Sequence, residues 1–177
     1  MIPVPLDLGA IALLLLVTAQ RLIELVIARR NDAWLRSRGG IEHGAGHYPV
    51  MVGLHAAWLI GLWALASGIP PSIPWVIAYL VLQALRLWTL LSLGRRWTTR
   101  VIVLPGAPLV RRGPYRYLSH PNYVVVAVEI FVLPMAFGLL TFAIVFSALN
   151  AGMLAVRLGV EARALSSAMQ NLHAPPP

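Results

Sequence analysis

The stretch "NYVVVAVEIFVLPMAFG" (122–138) runs without a break into "LLTFAIVFSALNAGMLAVRLG" (139–159). The pair holds a single acid, Glu129, and a single base, Arg157. Each half approaches the roughly 20 apolar residues that cross about 30 Å of hydrocarbon. With no linker between them, they predict two membrane helices folded as a tight hairpin, closed at Gly138 and kinked at Pro134. Three runs upstream have the same character: "LGAIALLLLVTAQRLIELVIA" (8–28), "VMVGLHAAWLIGLWALA" (50–66) and "IPWVIAYLVLQALRLWTLLSL" (73–93). The expected fold is therefore all-α, an integral membrane protein with about five transmembrane helices.

Composition agrees. The chain is 59% hydrophobic and 11% charged, and its mean hydropathy is +0.76. A soluble domain is about 25% charged and lacks the interior volume to hide so much apolar surface. A single membrane domain over 1–177 is expected, with a disordered tail at 170–177 that ends in "HAPPP". The first span resembles a signal peptide at "VTA", but the basic stretch follows it, which predicts a retained helix. Without cysteine there is no disulfide, thiolate metal site or cysteine nucleophile. All 14 basic residues are arginine, and the net charge is +8. They cluster beside the apolar runs, which points to membrane topology and the lipid bilayer as partner, not to nucleic acid.

The loops set an orientation. "RRNDAWLRSRGG" follows the first span, "GRRWTTR" and "RRGPYR" follow the third, and Arg157 and Arg163 close the fifth. The loops after spans two and four carry no charge. The positive-inside rule then puts the N-terminus outside and every arginine-rich segment in the cytoplasm, across a cytoplasmic (inner) membrane.

"GPYRYLSHPNY" (113–123) thus lies on the cytoplasmic side, where the fourth span begins. Pro121 suits a first helical turn, and Ser119 is the expected N-cap before it. Free N–H groups of that turn attract electron-rich groups. His120, Tyr115, Tyr117 and Tyr123 add hydrogen bonds and flat faces suited to a cation. An interfacial aromatic belt with a proline cap is the plainer alternative.

This stretch resembles the "G-x-Y-x-x-x-R-H-P-x-Y" signature of the isoprenylcysteine carboxyl methyltransferase family, and "RLGVEA" (157–162) resembles its "R-I-x-x-E-E" element. Ser119, Val125 and Ala162 depart from the pattern, while His120, Tyr123, Arg157 and Glu161 keep it. The resemblance covers residues 85–165, the expected cofactor-binding half. It implies an S-adenosylmethionine-dependent methyltransferase whose cytosolic cofactor pocket is built by the start of the fourth helix, the hairpin and the helix end after it. It further implies Arg116, Tyr117, His120, Pro121, Tyr123, Arg157 and Glu161 as cofactor-binding residues. "RLIELVIARRNDAWLRSRGGIEHGAGHYPVMVGLH" (21–55) resembles a bacterial branch associated with type III polyketide synthases, which O-methylates long-chain alkylpyrones or alkylresorcinols. That implies a lipophilic small-molecule acceptor, with a prenylcysteine-like carboxylate or a headgroup lipid as the alternative.

Other polar residues need partners or a function. Arg21 and Glu24, three apart on one helical face, can pair within the membrane. "IEHGAGHYP" brings Glu42, His43, His47 and Tyr48 into a loop returning to the membrane. Glu42 and His47 are the candidate general bases, and Tyr48, His55, Arg86 and Glu129 the candidate substrate-binding residues. Arg86 and Glu129 form a structural pair in the alternative reading. No metal is expected, because a helical His-Glu-x-x-His arrangement is missing and methyl transfer needs none. A transporter or non-catalytic scaffold is the alternative of another class, but the chain shows no inverted repeat. The orientation has a direct check. A cysteine introduced at Thr98 should react with an impermeant thiol reagent only after cells are opened, and labelling of intact cells would invert the topology.

Overall fold

The computed structural model describes residues 6–173, with side chains described through residue 166. Among the described residues there are five α-helices: α1 (Leu8–Ser37), α2 (Tyr48–Ala66), α3 (Ile73–Leu93), α4 (Pro121–Met135) and α5 (Leu140–His173). Two short strands, β1 (Ile41–His43) and β2 (Val101–Val103), pair antiparallel with Glu42 opposite Ile102. Four helices among the described residues are long and apolar enough to cross a membrane. The fourth expected span, α4, has only 15 residues, which at about 1.5 Å per residue falls short of the hydrocarbon thickness.

The hairpin forms as expected. Helix α4 ends one residue after Pro134. The chain then turns through Gly138, whose φ of +69° lies in the left-handed region that favours glycine. Pro121 opens α4 in its first turn, but the N-cap is His120, not Ser119, and no side chain caps the helix.

Two helices outrun their apolar stretches. Helix α1 continues from 28 to Ser37 through "RRNDAWLRS", expected as a loop. No proline or glycine interrupts it, and Ala28, Asn31, Asp32 and Leu35 bury one face at helical spacing. The polar members of that face find partners: Asn31 Nδ2 donates to the Trp97 carbonyl at 2.6 Å, and Asp32 accepts from the Thr98 hydroxyl. Helix α5 likewise runs past 159 to His173. It covers the first part of the expected tail at 170–177, and residues 174–177 lie outside the described residues.

The arginine-rich segments gather at one end of the bundle, where β1, β2 and the late turns of α5 meet. Among the described residues the opposite end is uncharged apart from Asp7, whose carboxylate accepts from Ala10 N at 2.8 Å and caps α1. There Asp7 N bonds Ser67 O, and Ser72 N bonds Ala136 O. The apolar core occupies the half near that end, around Leu14, Val17, Trp58, Leu62, Tyr79 and Leu133.

At mid-bundle, the charges of α1, α3 and α4 form one network. Arg86 donates to Glu24 at 2.5 Å and to Glu129 at 2.9 Å. Arg21 pairs with Glu24 at 3.0 Å and with Glu129. Gln83 donates to Glu129 at 2.9 Å and accepts from Gln20 at 2.5 Å. Two cations and two anions balance. Glu129 is fully buried, and Arg86 nearly so. Removing one partner strands a buried charge, which costs about 3–5 kcal/mol. Glu129→Ala should therefore lower thermal stability in detergent by that order, and an unchanged unfolding midpoint would remove the network from the stabilising core.

Candidate functional site

Two cavities meet inside the charged end. The outer one, about 870 Å³, lies under the segment from Leu93 to Tyr123 and beside the end of α5. The inner one, about 310 Å³, lies among the helices and is bounded by α1, α2, α3, α4 and α5. Trp97, Thr98, Asn122, Tyr123 and Arg157 line both, so they form a shared wall.

The segment over the outer cavity turns at Gly113, which begins a single helical turn to Arg116. Its φ is +58°, and a side chain there would collide with the Ser92 hydroxyl. Glycine is required at this point of "GPYRYLSHPNY", and it directs Tyr115 and Arg116 to the cavity. Burial first, and the Glu161 carboxylate second, push the Tyr115 phenol above its usual range, so it remains a neutral donor.

Beside the shared wall, α4 and α5 bring four of the expected cofactor-binding residues together. His120 and Tyr123 stack at 5.3 Å between ring centroids. The Tyr123 hydroxyl donates to Glu161 Oε2 at 2.7 Å, and Arg157 Nε reaches that hydroxyl at 3.4 Å. His120 Nδ1 lies 3.8 Å from Glu161 Oε2. The spacing explains the meeting. Positions 120 and 123 share one helical face, and 157 and 161 share another on the antiparallel partner. Arg157 also donates to the Thr99 carbonyl at 2.7 Å, which ties the segment after α3 to the shared wall. A carboxylate, a guanidinium and a stacked aromatic face thus stand together at the more polar of the two cavities.

Of the other expected cofactor-binding residues, Arg116 lines the outer cavity. Pro121 is buried at the start of α4, and Tyr117 is 75% exposed and lines neither cavity. Of the expected substrate residues, Tyr48, His55 and Arg86 line the inner cavity. Glu129 stands behind Arg86 in the ion network and does not line it.

The two candidate bases lie elsewhere. Glu42 sits in β1, where Arg36 binds one oxygen and Arg100 the other, the latter at 2.5 Å. Burial pushes its carboxyl up, but the hydrogen bonds and charges of Arg100 and Arg36 outweigh this and hold it below the usual carboxylate range. Held by two guanidiniums and lining neither cavity, it is a clamp between β1 and its neighbours, poorly suited to take a proton. His47 lines neither cavity and packs beside Gly44. No group of three metal-ligating side chains occurs among the described residues.

Several lining residues were not singled out in the sequence: Trp97, Thr98, Thr99, Asn122 and Asn150. Asn150 had a readable signal, a carboxamide in the middle of an apolar span. "WTTR" had none, because its importance comes from being carried under α5. Arg100 belongs to the same stretch and stacks over the Tyr48 ring at 3.9 Å.

Residues 75–167, just over half of the chain, match the profile of the isoprenylcysteine carboxyl methyltransferase family. The chain is 38% identical over 158 residues to YpbQ, an uncharacterized protein of Bacillus subtilis (strain 168). That alignment covers 86% of this chain and 94% of the relative. No solved structure matches significantly.

The Glu42 clamp has a pH signature. Its folded carboxyl titrates below its unfolded value, so its stabilising contribution is complete above the unfolded value. It is lost as pH falls through the lowered folded one. Acidification below the usual carboxylate range should open the β1–β2 ribbon to limited proteolysis. Glu42→Gln should cleave readily at neutral pH and lose that dependence. A ribbon equally resistant in both proteins would show that Glu42 does not hold it.

Proposed function

Because the chain belongs to the isoprenylcysteine carboxyl methyltransferase family and is thus a multi-pass membrane protein of a methyltransferase family, we propose that it O-methylates the ring hydroxyl of a long-chain alkylpyrone or alkylresorcinol. S-adenosylmethionine is the donor. The observation that carries the reading is the shared wall: a more polar cavity at the charged end and a mostly apolar cavity within the helices meet at Asn122, Tyr123 and Arg157. An aqueous donor and a lipid-borne acceptor need that geometry, since methyl transfer is an in-line displacement governed by placement.

The residues of the outer cavity fit the donor. Its sulfonium supplies the electrophilic methyl group. Glu161 suits the amino group, Arg157 the carboxylate, and the Tyr123 ring the sulfonium charge. The Tyr123–Glu161 hydrogen bond holds two of these groups in place before binding.

On the acceptor side, the proton falls to His55 instead of Glu42 or His47, because His55 alone of the three lines the inner cavity. Its Nδ1 lies 2.9 Å from the Met51 carbonyl. A carbonyl can only accept, so Nδ1 carries the proton and the neutral ring keeps its lone pair at Nε2. A phenol needs that base, whereas an enolic hydroxypyrone ionises with little help. The positive-inside pattern supports donor uptake from the cytoplasm across a cytoplasmic membrane, and the acceptor class suggests a type III polyketide synthase as functional partner.

Glu161→Gln should weaken donor binding about tenfold by calorimetry, as expected for a charged hydrogen bond. His55→Ala should leave donor affinity intact and lower turnover of an alkylresorcinol about a hundredfold, with a smaller loss for an alkylpyrone. A parent protein that binds no donor would sink the methyl-transfer reading. One that methylates a farnesylcysteine analogue but neither ring lipid would sink the acceptor class.

A further inference from the structure

Five buried side-chain atoms have no hydrogen-bond partner among the described residues: Trp58 Nε1, Trp97 Nε1, Asn122 Oδ1, Ser147 Oγ and Asn150 Oδ1. All but Ser147 belong to residues that line the inner cavity. Asn150 is 1% exposed, Trp58 2% and Trp97 3%. A buried polar group without a partner is costly. Trp58 and Asn150, which line the inner cavity alone, have no water from the surrounding lipid to relieve it, whereas Trp97 and Asn122 also border the outer cavity. Unpaired groups scattered through a bundle would each need a separate reason. Four around one cavity share one, a ligand that completes them.

The chemistry of the four narrows that ligand. An indole N–H only donates, whereas a carboxamide offers both an accepting oxygen and donating N–H groups. The cavity's two intramembrane cations, Arg21 and Arg86, are already matched by Glu24 and Glu129. Arg157 is held at the shared wall by Thr99 and Tyr123. A carboxylate accepts only. Arg157 is the lining cation without an ion pair among the described residues, but it stands at the shared wall, about two helical turns along α5 from Asn150. A carboxylate held at Asn150 is therefore desolvated away from that charge, which is expensive. A neutral hydroxyl both donates and accepts, and can satisfy a carboxamide and an indole together.

Asn150 is central to this set. Helices α2 and α5 run antiparallel, with Gly61 against Phe142 near one end and Met51 against Arg157 near the other. His55 and Asn150 both fall between those contacts, and both line the cavity. We infer that Asn150, with Asn122, Trp58 and Trp97, forms a hydrogen-bonding cradle for the neutral, hydroxyl-bearing head of the lipid ligand, and that Asn150 selects this head over a carboxylate. Calling the ligand a methyl acceptor rests on the reading above; the selectivity of the cavity does not.

The test uses the full-length protein in nanodiscs without donor, read by tryptophan fluorescence, since Trp58 and Trp97 lie at the site. Pentadecylresorcinol should bind at least about tenfold more tightly than hexadecanoate. Asn150→Leu should lower the resorcinol affinity about tenfold, the scale of a buried hydroxyl left unpaired, and leave that of hexadecanoate nearly unchanged. The same variant should raise the unfolding midpoint, because an apolar side chain of similar size replaces a buried amide whose oxygen is unpaired. A structural asparagine would do the reverse. Equal affinity for the two probes overturns the proposal, as does unchanged resorcinol binding in the variant. A variant that unfolds earlier or fails to fold assigns Asn150 to packing and overturns it too. Donor calorimetry keeps the two readings apart. Selective resorcinol binding without donor binding retains the cradle and removes methyl transfer. Donor binding and turnover without head-group selectivity do the opposite.

Discussion

Pairing of Arg21 and Arg86 with Glu24 and Glu129 is the constraint on which the bundle depends. An isolated charge within hydrocarbon is among the most expensive groups a protein can hold, so each of these side chains commits its helix to a neighbour of opposite sign. Apolar faces alone would not do this. Lipid is as apolar as leucine, and helices in a membrane gain little specificity from greasy contact. The network joins α1, α3 and α4 at one level and in one register. It also supplies the polar floor of the inner cavity, where Arg21, Glu24 and Arg86 are exposed to its interior.

Above that floor the α4–α5 hairpin sets the site. Its tight turn fixes the two helices in register at the uncharged end, and that register brings Tyr123 to Glu161 and Arg157 many turns away. Arg157 then reaches Thr99, so the loop after α3 is fastened to the hairpin instead of hanging free. The β1–β2 ribbon and its Glu42 clamp fasten the same region from the α1 side. Three connections converge where the two cavities meet. A methyltransferase benefits from this rigidity, because its rate depends on holding two bound molecules in line.

Much of this was legible in the chain. Hydropathy marks spans one, two, three and five, and glycine and proline mark the hairpin. Residues 120, 123, 157 and 161 can be grouped from helical spacing and resemblance alone, since each pair shares a helix face. Length was less legible: α1 and α5 outrun their apolar stretches because amphipathic helix continues where hydropathy falls. The N-cap was misplaced by one residue, since His120 takes the cap conformation and Ser119 makes no capping bond.

What the sequence by itself determined is whatever is local: apolar runs long enough for lipid, the arginine-rich loops, the hairpin turn, and side chains that share a helix face. Only the tertiary structure decided the rest. It matched Arg21 to Glu129, tied Glu42 between Arg36 and Arg100, and left His55 and Asn150 lining a cavity. Glu42 looks equally able to serve as a base or as a clamp until its neighbours are known. The reason is physical: a side chain's role depends on which partner satisfies its hydrogen bonds and charge, and that partner comes from another helix whose register no local pattern records.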